Sequence, residues 1–140
     1  MSNDKQILVV FGATGLQGSS VVNSVLESSF LSSKYSIRAV TRDVNKESSK
    51  ALAARGCEVV QADVDNLDQV KKAVRGAFGV FALTNYWDDL SDNSKEKEIR
   101  QGKNLIDASK AEGVKVSVQK ADGLKVELTR NAYQSHCYIT

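Results

Sequence analysis

Proline is absent from all 140 residues, an absence that points to no particular chemistry. Other absences say more. No apolar run approaches the roughly 18 residues that a membrane-spanning helix needs, so no membrane partner is expected. A net charge of +2 is too small to imply direct nucleic-acid binding or an anionic membrane surface. The only cysteines, Cys57 and Cys137, lack metal-ligand spacing and read as reduced thiols of a cytoplasmic protein, with the nucleus as an alternative. Cys57 follows a helix stop and precedes a strand, which suits a small buried hydrophobe. Met1-Ser2-Asn3-Asp4-Lys5 runs straight into a strand-like segment, without the apolar region of a secretory signal. The single histidine, His136, sits in an irregular tail. No Ser-His-Asp set, metal cluster or basic groove is present.

What is there alternates. Ile7-Leu8-Val9-Val10-Phe11 is a continuous apolar run of strand length, as in a parallel sheet buried on both faces. Leu16, Val21, Val22, Val25 and Leu26 then recur at helical spacing. Further strands are expected over 36–40, 58–61, 79–83 and 114–118. Helices are expected over 46–55, from a capping box at Asn66-Leu67-Asp68-Gln69 to Arg75, and from the charged stretch 88–97 to Gly113. This rhythm predicts an α/β fold: a doubly wound, Rossmann-like parallel sheet of order 3-2-1-4-5 with helices on both faces. The domain is drawn over 1–118. Residues 119–140 form a divergent tail in which Lys125-Val126-Glu127-Leu128 could pair as an edge strand.

Between the first strand and its helix lies Gly12-Ala13-Thr14-Gly15-Leu16-Gln17-Gly18. The three glycines stand where a dinucleotide-binding turn needs them: for the tight turn, for backbone approach to a pyrophosphate, and for close helix–strand packing. The phosphates would then face free N–H groups and the positive end of a helix dipole. A bare turn with no ligand is the competing reading.

The end of the second strand meets the adenosine ribose in such folds, where an acid selects NAD and an arginine accommodates the 2′-phosphate of NADP. Thr41-Arg42-Asp43, with Lys46 beyond, offers a guanidinium fork and a second cation and so favours NADP, with NAD as the alternative. Asp43 either takes the ribose hydroxyls or neutralises Arg42. Asp63 and Val64, closing the third strand, either meet the adenine amine and ring or simply start the next helix. Tyr86 and Trp87 follow the fourth strand at the ligand-binding edge. There they cover the cofactor, mark a protein interface, or pack on the long helix.

These segments together resemble the NmrA-like family of atypical short-chain dehydrogenases. The resemblance is carried by Val10 to Gly18, Val40-Thr41-Arg42, Gly56 to Asp63, Leu83-Thr84-Asn85-Tyr86-Trp87 and Gln101-Gly102-Lys103-Asn104-Leu105, and covers roughly residues 5–115. It implies that Gly12, Thr14, Gly15, Gln17 and Gly18 line the pyrophosphate, with Ala13 and Leu16 in the same loop. It also implies that Arg42 and Lys46 meet the 2′-phosphate, Asp63 and Val64 the adenine end, and Thr84, Asn85 and Tyr86 the nicotinamide side. Members of the family usually continue well past the fifth strand. The chain is therefore expected to be truncated there, with 116–140 unlike the usual continuation.

The Tyr-x-x-x-Lys pair that transfers protons in ordinary short-chain dehydrogenases is missing: none of Tyr35, Tyr86, Tyr133 and Tyr138 has a lysine four residues on. Many relatives without it resemble redox-sensing regulators that read NADP(H) and bind a regulatory protein partner. Others resemble biosynthetic oxidoreductases. The leading expectation is the redox-sensing dinucleotide binder, active in transcriptional regulation, with no catalytic residue and no metal. The alternative is an NADP-dependent oxidoreductase represented by a truncated chain.

Overall fold

The computed structural model describes residues 5–83, 94–121, 125–130 and 137–139. In chain order these form β1 (Gln6–Phe11), α1 (Leu16–Glu27), α2 (Ser29–Lys34), β2 (Tyr35–Thr41), α3 (Glu47–Ala54), β3 (Glu58–Gln61), α4 (Leu67–Val74) and β4 (Gly79–Leu83). There follow α5 (Ser94–Ala111), β5 (Val116–Ala121), β6 (Lys125–Arg130) and β7 (Cys137–Ile139). The strands build one sheet of order β3-β2-β1-β4-β5-β6-β7. The first five are parallel, and β6 and β7 add on in antiparallel pairing. The expected order 3-2-1-4-5 therefore stands and the sheet continues beyond it. Lys125 to Leu128 belong to β6, which is not an edge strand but lies between β5 and β7.

A parallel strand in the middle of such a sheet must be apolar on both sides, because crossover helices cover both faces. β1 meets this condition by alternation. Val9 and Phe11 face α4 and α5, packing with Val70, Ala73, Val74, Leu105 and Ala108. Val10 faces the other way, toward Val22 and Val25 of α1, Leu52 of α3 and the β2 residues Ile37 and Ala39. Val9 and Val10 are fully buried. Each such side chain contributes about 1.5–3 kcal/mol relative to leaving it in water.

Several local expectations shift for identifiable reasons. α2 has no counterpart in the apolar pattern. The Ser28 hydroxyl accepts from the Leu31 N–H (3.2 Å) and caps this six-residue helix. The capping box at α4 is half formed. The Asn66 side chain accepts from the Gln69 N–H (3.2 Å), but Gln69 Oε1 accepts from the N–H of Asp63 (2.9 Å) instead of returning to Asn66. Gly113, at φ +69°, stops α5. Val114 N–H then donates to Ser109 O and Lys115 N–H to Phe78 O, so β5 begins at Val116 and not at Val114.

Candidate functional site

The carboxyl ends of β1, β2 and β3 lie side by side. Phe11 stands opposite Val40, Val40 opposite Val60, and Thr41 opposite Gln61. The next residues of each strand, Gly12, Arg42 and Ala62, therefore open three neighbouring turns on one edge of the sheet. Ala62 N–H continues the ladder by donating to Thr41 O (3.1 Å). The sequence places every described candidate residue on these three turns.

The first turn carries the glycine loop. Gly12 has φ +67°, a left-handed conformation that L side chains rarely adopt. Gly15 N–H donates to Gly12 O (3.0 Å), closing the turn. Gly15 is the N-cap of α1. It offers no side-chain cap, and the first helical turn contains no acid, so the positive end of the helix dipole has no built-in anion. Thr14 and Gly15 are exposed there. Ala13 is fully buried and packs into the α1-side core, so its methyl anchors the loop from below. A Cβ on Gly18 would overlap Gly12 O and stand 2.6 Å from Gly12 C and 2.9 Å from Ala13 Cα. A Cβ on Gly15 would meet only Gly12 O, at 3.3 Å. Gly18 therefore lets α1 rest on the loop, and Gly15 keeps the loop's outer surface low.

The second turn carries Arg42 and Lys46, both exposed. It is held from within. Thr41 Oγ1 accepts from Asp43 N–H (3.2 Å), the fully buried Ser49 hydroxyl donates to Asp43 O (2.8 Å), and Asp43 Oδ1 accepts from Asn45 N–H (2.9 Å). Asp43, left open between two roles by the sequence, has one carboxylate oxygen engaged in shaping its own turn. Ser49 had no sequence signal beyond its place on a helix.

The third turn carries Asp63 and Val64. Asp63 is exposed, and its Oδ1 accepts from Asp65 N–H (2.9 Å). Val64 is half-buried against the α4–α5 core. From α5, Asn104 Nδ2 donates to Val64 O (2.9 Å), and Arg100 Nη2 pairs with Asp65 Oδ1 (3.1 Å). Neither contact is visible in local sequence pattern, because each joins residues 35 to 40 positions apart. Arg38 is a further structural residue without a sequence signal. It pairs with Glu58 (2.8 Å) and donates to two carbonyls at the C-terminal end of α4, those of Ala73 (2.9 Å) and of the capping residue Arg75 (2.8 Å).

Thr84, Asn85, Tyr86, Trp87 and His136 lie outside the described residues, as do the side chains of Leu16 and Gln17. Cys57 is buried in the α1-side core, as its position suggested. Burial pushes its thiol pKa up, and nearby Arg55 partly opposes this. Among the described residues no group of His, Cys, Asp and Glu is arranged to hold a metal, and no helix is long and apolar enough to cross a membrane.

A doubly wound sheet with a glycine loop closing its central strand defines a Rossmann-type fold. The NmrA-like family model matches residues 4–134, and the chain belongs to the NmrA-like family. A Penicillium ochrochloron relative, the NmrA-like family domain-containing oxidoreductase ptmS, is 34% identical over 131 residues, which are 93% of this chain and 38% of the relative. The Citrobacter sp. triphenylmethane reductase complexed with NADP(H) is similar in structure, with a TM-score of 0.65 and 28% identity over 80% of this chain and 36% of the reductase. NmrA, a negative transcriptional regulator in complex with NAD, shares the fold, with a TM-score of 0.66 and 22% identity over 83% of this chain and 33% of NmrA. The chain thus spans less than two fifths of the length of these proteins.

Proposed function

We propose that this chain holds NADP(H), with the pyrophosphate on Gly12–Gly18 and the 2′-phosphate at Arg42 and Lys46. The observation that carries the reading is the start of α1. It is an outward-facing helix N-terminus with no side-chain cap and no acid in its first turn, seated on β1 by Gly18, with Arg42 at the end of the adjacent strand. Such an end favours an anion through both its free amides and its dipole. Asp63 and Val64 would receive the adenine, and the segment after β4, with Thr84, Asn85 and Tyr86, would face the nicotinamide. When bound, the dinucleotide would supply a hydride. The residues of this chain bind and orient it.

Titration calorimetry with NADPH, NADP⁺, NADH and NAD⁺ tests this directly. Binding of the phosphorylated pair more tightly than the other is expected, and no binding of any of the four overturns the reading. Gly15→Asp, which places bulk and negative charge where the pyrophosphate would sit, should abolish binding while circular dichroism stays unchanged.

Within that reading the chain is the nucleotide-holding part of an NADP(H)-dependent oxidoreductase, supported by the named activities of ptmS and the triphenylmethane reductase. The contacts to a hydride acceptor would then lie in the part of those proteins that this chain does not span. One sequence observation favours a second reading, a redox-sensing regulator: the chain has no Tyr-x-x-x-Lys pair to supply a proton during carbonyl reduction. Oxidation of NADPH by a small quinone or carbonyl, abolished by Gly15→Asp, supports the oxidoreductase.

A further inference from the structure

We propose that Asn104, supported by Arg100 and Gln101 on the same helix, is a positioning residue for the adenine end of the bound dinucleotide. The proposal rests on the NADP(H) reading above and extends it to residues of α5 that bond to the turn carrying Asp63 and Val64.

The turn after β3 is closed twice. Its own residues already complete it. Asn66 N–H donates to Asp63 O (3.0 Å), Asp65 N–H to Asp63 Oδ1 (2.9 Å), Asp63 N–H to Gln69 Oε1 (2.9 Å) and Gln69 N–H to Asn66 Oδ1 (3.2 Å). These bonds end the strand and start α4. A second set then arrives from α5. Asn104 Nδ2 donates to Val64 O (2.9 Å), Arg100 donates to Asp65 Oδ1 through Nε (3.3 Å) and Nη2 (3.1 Å), and Gln101 Nε2 donates to Asp65 Oδ2 (3.4 Å).

This second set comes from outside the turn. It fixes where the turn stands relative to the sheet edge. Arg100 and Gln101 stand four and three residues before Asn104, which puts the three donors on one side of α5. The neighbouring Leu105 is fully buried in the core shared with β1 and α4, so the donors sit on a rigid support. The backbone carbonyl of Val64 and the carboxylate of Asp65, next in the chain, are thereby tied to α5 beside the position from which Asp63 and Val64 would meet the base. A side chain that contacts a ligand is effective only when its own position is fixed to a fraction of an ångström by a supporting layer.

Asn104→Asp is the test, because it keeps the size of the side chain and removes the donor to Val64 O. Two probes are titrated into the full chain: NADP⁺ and its hypoxanthine analogue, which lacks the adenine amine. The wild type should prefer NADP⁺. In Asn104→Asp the affinity for NADP⁺ should fall about five- to tenfold, the range of one lost hydrogen bond, and the preference for adenine over hypoxanthine should flatten. A purely structural role would lower the melting temperature and leave that preference intact, and this result overturns the proposal. If Asn104→Asp does not fold, Arg100→Gln makes the same measurement at an exposed residue, with the same expectation and the same overturning result. A wild type that binds neither probe sinks the NADP(H) reading and this proposal with it. A wild type that binds while the variants match it sinks only this one.

Discussion

Gly18 and Gly12 are in contact across the turn between β1 and α1, with no room for a single added carbon between them. The carbonyl group of Gly12 and the backbone of Ala13 fill the space where a Gly18 Cβ would stand. Because the obstacle is backbone, nothing can swing aside. Gly18→Ala should lift α1 off the loop and destabilise the fold by about 1–3 kcal/mol, the usual range for overpacking. Thermal unfolding followed by circular dichroism checks this. Gly15→Ala, whose Cβ meets only Gly12 O at 3.3 Å, should unfold close to the wild-type temperature. Equal losses for the two would mean that the loop relaxes as a whole.

Arg42 lies exposed at the end of β2, on a turn braced by Thr41, Asp43 and Ser49. Arg42→Ala should weaken NADP(H) by about 1.5–3 kcal/mol through loss of a charge-assisted phosphate contact. The same change should affect NAD(H) little. Calorimetric titration of both pairs decides the matter. Equal losses, or a wild type that prefers NAD(H), would move the ribose contact to Asp43.

Arg38 works far from the nucleotide edge, tying β2 to β3 through Glu58 and to the end of α4 through two carbonyls. Its side chain is only 13% exposed. Arg38→Met keeps much of the packing and strands those carbonyls, so about 1–3 kcal/mol of stability should be lost. Dinucleotide affinity at a temperature where the variant is folded should not change. A loss of affinity without a loss of stability would show that Arg38 belongs to the site.

Cys57 provides a pH signature. Burial raises its thiol pKa in the folded chain, so the folded state holds its proton more tightly than the unfolded one. Its contribution to stability is fully present below the ordinary thiol pKa and is lost as pH rises from there through the folded-state value. Denaturant midpoints across alkaline pH should fall more steeply for wild type than for Cys57→Ala. Slow alkylation of Cys57 in the native chain, and fast alkylation after unfolding, should accompany this.

The fold was readable because its signals are local. An unbroken apolar run of strand length such as Ile7 to Phe11 suits a strand covered on both faces, and glycines at 12, 15 and 18 mark the turn that follows. The ends of elements were less readable. β5 starts two residues late because Gly113 and the bond from Val114 to Ser109 use up the approach. β7, three residues long, has no period to detect. At the site, the residues expected to meet the nucleotide announce themselves by motif. Those that hold them, Ser49, Arg100 and Asn104, are polar side chains on helices. Their roles exist only once helices from elsewhere in the chain have packed against the sheet.

The two-sidedness of β1 also sets an order of assembly during synthesis. The buried partners of Val10 come early, from α1, β2 and α3, and the last of them is Cys57. The partners of Val9 and Phe11 come late, ending with Leu105 and Ala108, and the second neighbouring strand, β4, starts only at Gly79. At about 5–20 residues per second, a ribosome leaves one side of β1 bare for several seconds after the glycine loop has emerged. The nascent loop and first helix are thus held on a half-covered strand whose other face is open to whatever apolar surface is nearby. Chaperones that shield apolar segments would meet this chain in that interval.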